Sequence, residues 1–511
     1  MSAPGTLTWF ARHECRLSWR EFLSFISAGR RRRVRGVVIG TALFLAFLHL
    51  AVWPIAAPYA VIDGEPTKLT LVTVTGTALL SWSLMLSQAM ESVTRVFYVR
   101  SDLDLILSSP VVARRLFAVR IGAMAVGIGI MGLALSAPVI DVLAIIGGWR
   151  WLAAYAVVAA MALAAVALAV PLTIALFRII GPKRARFVSQ IVAAVIGASF
   201  VIGLQVGAIL SYGTLSRFAF LRSERMVALA PDVTSPVWAP ARAILGDMGA
   251  LAAVLAFCLA MLAASILCFA GRFGDYTIVA SAVARNAAQQ RPLSGFRPAS
   301  SRHVLRRKEW ALLRRDPWLI SQTLMQLLYL LPPALLLWKS HGDATGVEGV
   351  LTPVLIMSAG QLAGALAWLA ISGEDAPDLI ATAPVTARQV LVAKIDSVLG
   401  ATGIVFGPFV LAFAMVSAKA ALIAAIGIVV AAAASTEIQL AFRLQAKRSH
   451  FRRRHTSSRI ATFAEAFSSI GWAATGAFIV LGSWVALLPA FQAVVVLVGV
   501  IFFGPARKTA V

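Results

Sequence analysis

Residue types that do chemistry are sparse in this chain and mostly fail to cluster. The histidines His13, His49, His303, His341, His450 and His455 never pair at metal-ligand spacing, so no metal centre is expected. Cys15, Cys258 and Cys268 form no metal spacing either, and the last two lie in an apolar run, where buried filler is the expected role. No Gly-x-x-x-x-Gly-Lys-Ser/Thr phosphate loop and no Gly-x-Ser-x-Gly elbow occurs. The chain is therefore expected to be no enzyme and to carry no cofactor of its own. What remains is a set of carboxylates in or near long apolar runs: Glu91, Asp141, Asp247, Asp396, Glu437 and Glu465. Most stand about a turn from the end of a run, where a carboxylate caps a helix or reaches water, so Glu91, Asp247 and Asp396 read as structural. Glu437 and Glu465 sit deeper, where the first half has Leu172 and Gln190. A proton relay is one role for them, and an ion pair with Arg443 or Arg459 is the preferred one.

The elements that must position these groups follow from composition. A mean hydropathy of +0.85, with 60% hydrophobic and 13% charged residues, is incompatible with a soluble domain, whose surface needs roughly a quarter of its residues charged. Runs free of Asp, Glu, Lys and Arg cover residues 38–62, 151–177, 187–216, 248–271, 317–338, 350–373, 397–418 and 466–506. Each reaches the ~20 residues that a helix needs to cross the hydrocarbon layer. The last can hold two spans broken near Leu488 and Pro489. With residues 69–90, 121–139 and 420–436 the expectation is an all-α membrane protein of about twelve spans, six in each half. The runs lack the alternation of β-barrel strands.

A formal charge of +24 raises the question of nucleic acid, but its distribution answers against it. Of 46 lysines and arginines, 38 fall in the N-terminal segment, in alternate loops and in the C-terminal tail. That asymmetry is the positive-inside pattern and puts both termini in the cytoplasm of a multi-pass protein of the cytoplasmic membrane. The run from Arg30 to Arg33 is then a topological anchor that attracts anionic lipid heads. About 35 residues precede a long first run, so the N-terminus reads as an anchored helix and not as a cleaved signal.

Two stretches occur twice. Residues 104–121 read DLILSSPVVARRLFAVRI and residues 378–395 read DLIATAPVTARQVLVAKI, without gaps. Asp, Leu, Ile, Pro, Val, Ala, Arg and the final Ile recur in place, and Arg120 is answered by Lys394. Both follow the second apolar run of their half, which marks two tandem six-span pseudo-repeats. Capping by Ser101 and Asp102, or by Asp375 with Pro377 in the first turn, predicts a helix of about two turns in each copy. Thr386 and Gln389 form a capping box for the next span. The second recurrence sits ahead of each half. Aligning Glu14 with Glu309 puts Arg20 on Arg315 and Glu21 on Asp316, in stretches whose Trp, Phe and Arg suit a helix at the membrane interface.

The remaining loops are less regular. Basic loops at residues 178–184 and 443–448 correspond loosely. An outer loop, residues 212–243, contains Val237 to Arg242 as a candidate interfacial helix or lid, with almost no counterpart around residues 483–489. Residues 272–301, rich in Asn, Gln, Pro, Gly and Ser, read as a polar linker. The expected domains are thus residues 1–272, a linker at 273–301, and 302–511.

On the residues Ser101 to Pro110 with Arg114 and Arg115, Asp375 to Arg388, and Lys308-Glu309-Trp310 with Arg314 to Pro317, the chain resembles a type-2 ATP-binding-cassette (ABC) exporter permease with two fused halves. The resemblance implies that the loop after the second span of each half is a coupling helix docked on a cytoplasmic ATPase. It would place Asp102, Asp104, Leu105, Ile106, Ser109, Pro110 and Arg114, with Asp375, Asp378, Leu379, Ile380, Pro384 and Arg388, at that contact. Glu14, Arg20, Glu309, Trp310, Arg315 and Asp316 would belong to connecting elbows. ATP and Mg would then be held by the partner, expected in two copies for one permease chain, and membrane lipids would be the other neighbours. Two rivals remain. A proton-coupled transporter of the major facilitator type also has six plus six spans, but its repeated loop motif is Gly-rich with Asp-Arg, unlike this one. A transferase acting on lipid-linked substrates would need clustered acidic or histidine residues at the surface.

Overall fold

Because hydrocarbon offers no hydrogen-bonding partner, a chain this apolar must satisfy its backbone within each segment, and helices result. The computed structural model describes residues 6–27, 45–46, 48–50, 52–54, 56–60, 66–98, 113–212, 220–289, 299–315, 324, 328, 330–332, 335, 344–372, 377–442 and 459–503. All regular structure among them is helical. The helices are α1 (Leu7–Ser27), α2 (Lys68–Tyr98), α3 (Ala113–Gly147), α4 (Ala153–Ile180), α5 (Pro182–Tyr212), α6 (Glu224–Leu229), α7 (Ala239–Ile244) and α8 (Met248–Gln289). They continue with α9 (Ser301–Arg315), α10 (Ala344–Ser372), α11 (Pro377–Thr382), α12 (Ala387–Ala414), α13 (Ala418–Ala441), α14 (Arg459–Val480) and α15 (Leu487–Phe503). Among the described residues ten segments are long and apolar enough to cross a membrane, which makes this an all-α multi-pass membrane protein. The first and seventh expected spans, residues 38–62 and 317–338, fall mostly outside the described residues.

The chain divides into two compact units, residues 1–204 with 216–292, and residues 205–215 with 293–511. In the first, α4 is the central helix, packed by α2, α3 and α8. Its buried Ala162, Ala165, Ala169 and Val170 keep side chains short where neighbours approach. In the second unit α10 is central, against α12, α13 and α14. Close approach here depends on glycine: a Cβ on Gly427 of α13 or Gly476 of α14 would lie 2.3 or 2.4 Å from Ile356 Cδ1. Ile356, fully buried, is thus a knob set between two glycines on different helices.

Three boundaries differ from expectation. α8 continues to Gln289 instead of giving way to a linker at residue 272, because residues 275–290 contain neither Gly nor Pro and are rich in alanine. The break in the last apolar run comes at Leu481 to Ala486, before Leu488 and Pro489. Gly482, at φ +68, stops α14, and Ser483 caps the 3₁₀ turn Trp484–Ala486. Pro489 instead falls in the first turn of α15, where its missing N–H costs no hydrogen bond. Finally, the stretch expected as an interfacial helix or lid is a 3₁₀ turn, Pro236–Trp238, running into α7. Trp238 is buried against Leu71, Leu204 and Leu221, and its Nε1 donates to the Asp232 carbonyl at 3.0 Å.

Candidate functional site

The two recurrences, separate in sequence, meet in space within each unit. In the second unit α9 packs on α12, and Glu309 points inward from α9 to Lys394, seven residues after the start of α12. Lys394 Nζ donates to Glu309 Oε1 and Oε2 at 3.1 and 3.2 Å and also to the carbonyl of Ala370 on α10. Glu309 is fully buried, and Lys308 supplies a second ammonium at 3.1 Å from Oε1. In the first unit α1 packs on α3, and Arg120, seven residues after the start of α3, holds its Nε 3.4 Å from Glu14 Oε1. Both partners are again buried. The family resemblance implies that Glu14 and Glu309 belong to connecting elbows. The structure puts them inside, each the inner half of an ion pair that fixes an amphipathic helix to the helix following the repeated loop.

The repeated loop itself is described only in its second copy, since residues 101–112 lie outside the described residues, and with them Asp102, Asp104, Leu105, Ile106, Ser109 and Pro110. There α11 is a helix of six residues. Its Leu379 is 70% exposed, Ile380 is half-buried, and Thr382 Oγ1 donates back to the Leu379 carbonyl at 3.3 Å. Asp375 and the side chain of Asp378 are outside the described set. Pro384 and Arg388 are exposed, as are Arg114 and Arg20 of the first unit. Trp310 is part exposed and packs its ring on Gly400 of α12. With Arg307, Ala311 and Arg314 it lines a concavity on α9. Asp316 and the side chain of Arg315 are not among the described residues.

The capping box forms as the sequence requires: Gln389 N donates to Thr386 Oγ1 at 3.3 Å, and Thr386 N to Gln389 Oε1 at 3.0 Å. Thr386→Ala removes the first bond and the constraint on the second, and is expected to cost about 1 kcal/mol of local helix stability. Amide exchange at residues 387–390 measures it, and should quicken while the middle of α12 is unchanged.

The other carboxylates sort by their surroundings. Glu91 pairs with Arg95 one turn on, Asp247 caps α8 by accepting from Ala250 N at 3.0 Å, and Asp396 takes Arg306 Nε at 2.9 Å. Each has the kind of helix-end or ion-pair contact expected of a structural carboxylate. Glu437 is exposed on α13. Arg443 and the side chain of Arg459, the partners expected for Glu437 and Glu465, lie outside the described residues, and the Glu465 carboxylate accepts from Gln439 Nε2 of α13. Gly364 of α10 makes room for it, since a Cβ there would lie 2.1 Å from Glu465 Cδ. One turn along, Gly360 faces Ser469 Oγ, which lies 3.3 Å from Ser435 Oγ. A polar seam therefore runs along α10, α13 and α14, and interhelical hydrogen bonds over a Gly-x-x-x-Gly face hold the three helices together. The Gly360 and Gly364 spacing signalled that seam, and it went unread beside the acidic residues. Asp141, finally, joins His49 and Tyr155, residues that sequence reasoning left apart.

Among the described residues no group of three or more His, Cys, Asp or Glu is arranged to hold a metal ion. No family model, curated protein or solved structure matches the chain.

Proposed function

We propose that this chain is the membrane-spanning permease subunit of an ABC exporter, built from two six-span halves and driven by separate cytoplasmic ATPase subunits docked on residues 101–115 and 374–389. One observation carries the reading. In the second unit a short helix, α11, with Leu379 exposed, stands directly before a capped span whose Lys394 is tied both to α9 and to the backbone of α10. A push on Leu379 and Ile380 would move three helices as one body, which is what a coupling element has to do. The matching Glu14 and Arg120 pair ties α1 to α3 in the first unit. Two docking points on one chain imply two ATPase copies, with ATP and Mg bound there and both termini in the cytoplasm of the cell membrane. The basic, aromatic face of α9 suits the same cytoplasmic side.

The test is gentle solubilisation of the tagged chain from its native membrane. An ATP hydrolase should accompany it, and Asp104→Lys with Asp378→Lys should uncouple ATP hydrolysis from transport while the chain still inserts. A chain recovered without any nucleotide hydrolase, or wild-type coupling in the double variant, overturns the reading. Transport that survives ATP depletion but stops with an uncoupler would favour the proton-coupled rival.

A further inference from the structure

His49 stands in an apolar run between two oxygen acceptors. Its Nδ1 is 2.7 Å from the Leu45 carbonyl, and its Nε2 is 3.1 Å from Asp141 Oδ2 on α3. A carbonyl only accepts, so Nδ1 carries a hydrogen and the contact is Nδ1–H to oxygen. Asp141 Oδ1 is engaged separately, accepting from the Tyr155 hydroxyl of α4 at 2.6 Å. One position is left open, between Nε2 and Oδ2. With a proton there the bridge is either an imidazolium facing a carboxylate or an imidazole accepting from a carboxylic acid. Without it, the Nε2 lone pair faces an ionised oxygen and the contact turns repulsive.

We propose that His49 and Asp141 hold a single exchangeable proton between them, making a proton-binding site in the first unit whose occupancy fastens the run around His49 to α3. On loss the proton passes to water, the Nε2–Oδ2 contact opens, and the Tyr155 hydrogen bond stays on Oδ1. The side chains of His49 and Asp141 are each about a third exposed, and Asp141 lies six residues from the end of α3. Few other charges among the described residues of the packed elements compete. Lys68 at the near end of α2 is paired with Asp232, and Arg222 stacks on Tyr59 and donates to its hydroxyl. Arg242 on α7 donates to the Ser235 carbonyl, and Arg150 on the 3₁₀ turn Trp149–Leu152 is the remaining cation among the described side chains there. Intramembrane ionisable clusters of this kind mark proton and ion paths.

The experiment is hydrogen exchange on the full chain in lipid nanodiscs, following peptides that cover residues 45–60 after correction for intrinsic rates. From mildly acidic to alkaline pH the wild-type protection should fall about tenfold, the worth of one charge-assisted hydrogen bond. Asp141→Asn, whose amide donates to a neutral His49, should stay protected throughout, and Asp141→Ala should be unprotected throughout. Should Asp141→Asn not fold, His49→Gln supplies an equivalent pH-insensitive bridge. Imidazole nitrogen resonances of His49 give a second readout, with the Nε2 resonance moving as the bridging proton is lost and the Nδ1 resonance holding still. Flat wild-type protection, an Asp141→Asn profile that follows wild type, or an Nε2 resonance fixed across the range each overturns the proposal.

Discussion

Glu309→Ala is expected to destabilise the protein by about 3–5 kcal/mol, because it leaves the Lys394 ammonium in a closed site without its carboxylate. Lys308 lies at the rim, 29% exposed at its side chain, and can turn to water; Lys394, only 11% exposed, cannot. The loss should appear as a lowered midpoint of thermal inactivation in detergent, with α9 the first segment to lose amide protection. Glu309→Leu combined with Lys394→Met should recover most of it, since an apolar pair of similar volume avoids the desolvation cost of two charges. If the single variant is as stable as wild type, the pair does not hold α9 in place, and α12 is not joined to it firmly enough to carry a push from α11.

The second large effect concerns Gly147. A Cβ there would lie 2.1 Å from the Ala60 carbonyl oxygen and 2.5 Å from Trp151 Nε1, the two atoms that form a hydrogen bond of 3.0 Å across it. Backbone cannot step aside as a side-chain tip can. Gly147→Ala should therefore both overpack the site, at about 1–3 kcal/mol, and strand the indole N–H of buried Trp151, at a further ~1–3 kcal/mol. Tryptophan emission from Trp151, isolated by comparison with Trp151→Phe, should shift to the red as the ring loses its dry pocket. The double variant Gly147→Ala with Trp151→Phe should be less impaired than the sum of the two, because the second change removes the donor that the first one strands.

Much of the helical layout could be read in advance, since it rests on length and on the absence of charge. The capping box at Thr386 was legible for the same reason: its partners are three residues apart and its chemistry is local. Helix ends were less so. Nothing in a hydropathy pattern says that α8 should pass residue 272, because helix propensity and membrane propensity part company there. The ion pairs show the limit most plainly. Glu14 and Glu309 were matched with each other, as were Arg120 and Lys394, yet neither recurrence indicates that a member of one meets a member of the other. Only tertiary packing joins them. His49, Asp141 and Tyr155 gave no local signal at all, their contacts being 92 and 14 residues apart in sequence.

The length of α8 carries its own consequence. Its 42 residues make a rod of about 63 Å, of which the apolar 24 are enough for one crossing. The surplus is a lever on a fixed axle: rotation of the buried part by one residue's worth, about 100°, swings the tip at Gln289 through the same angle without a joint to absorb it. Adding or removing a single alanine along the shaft should therefore turn Gln289 by about 100° relative to the crossing segment.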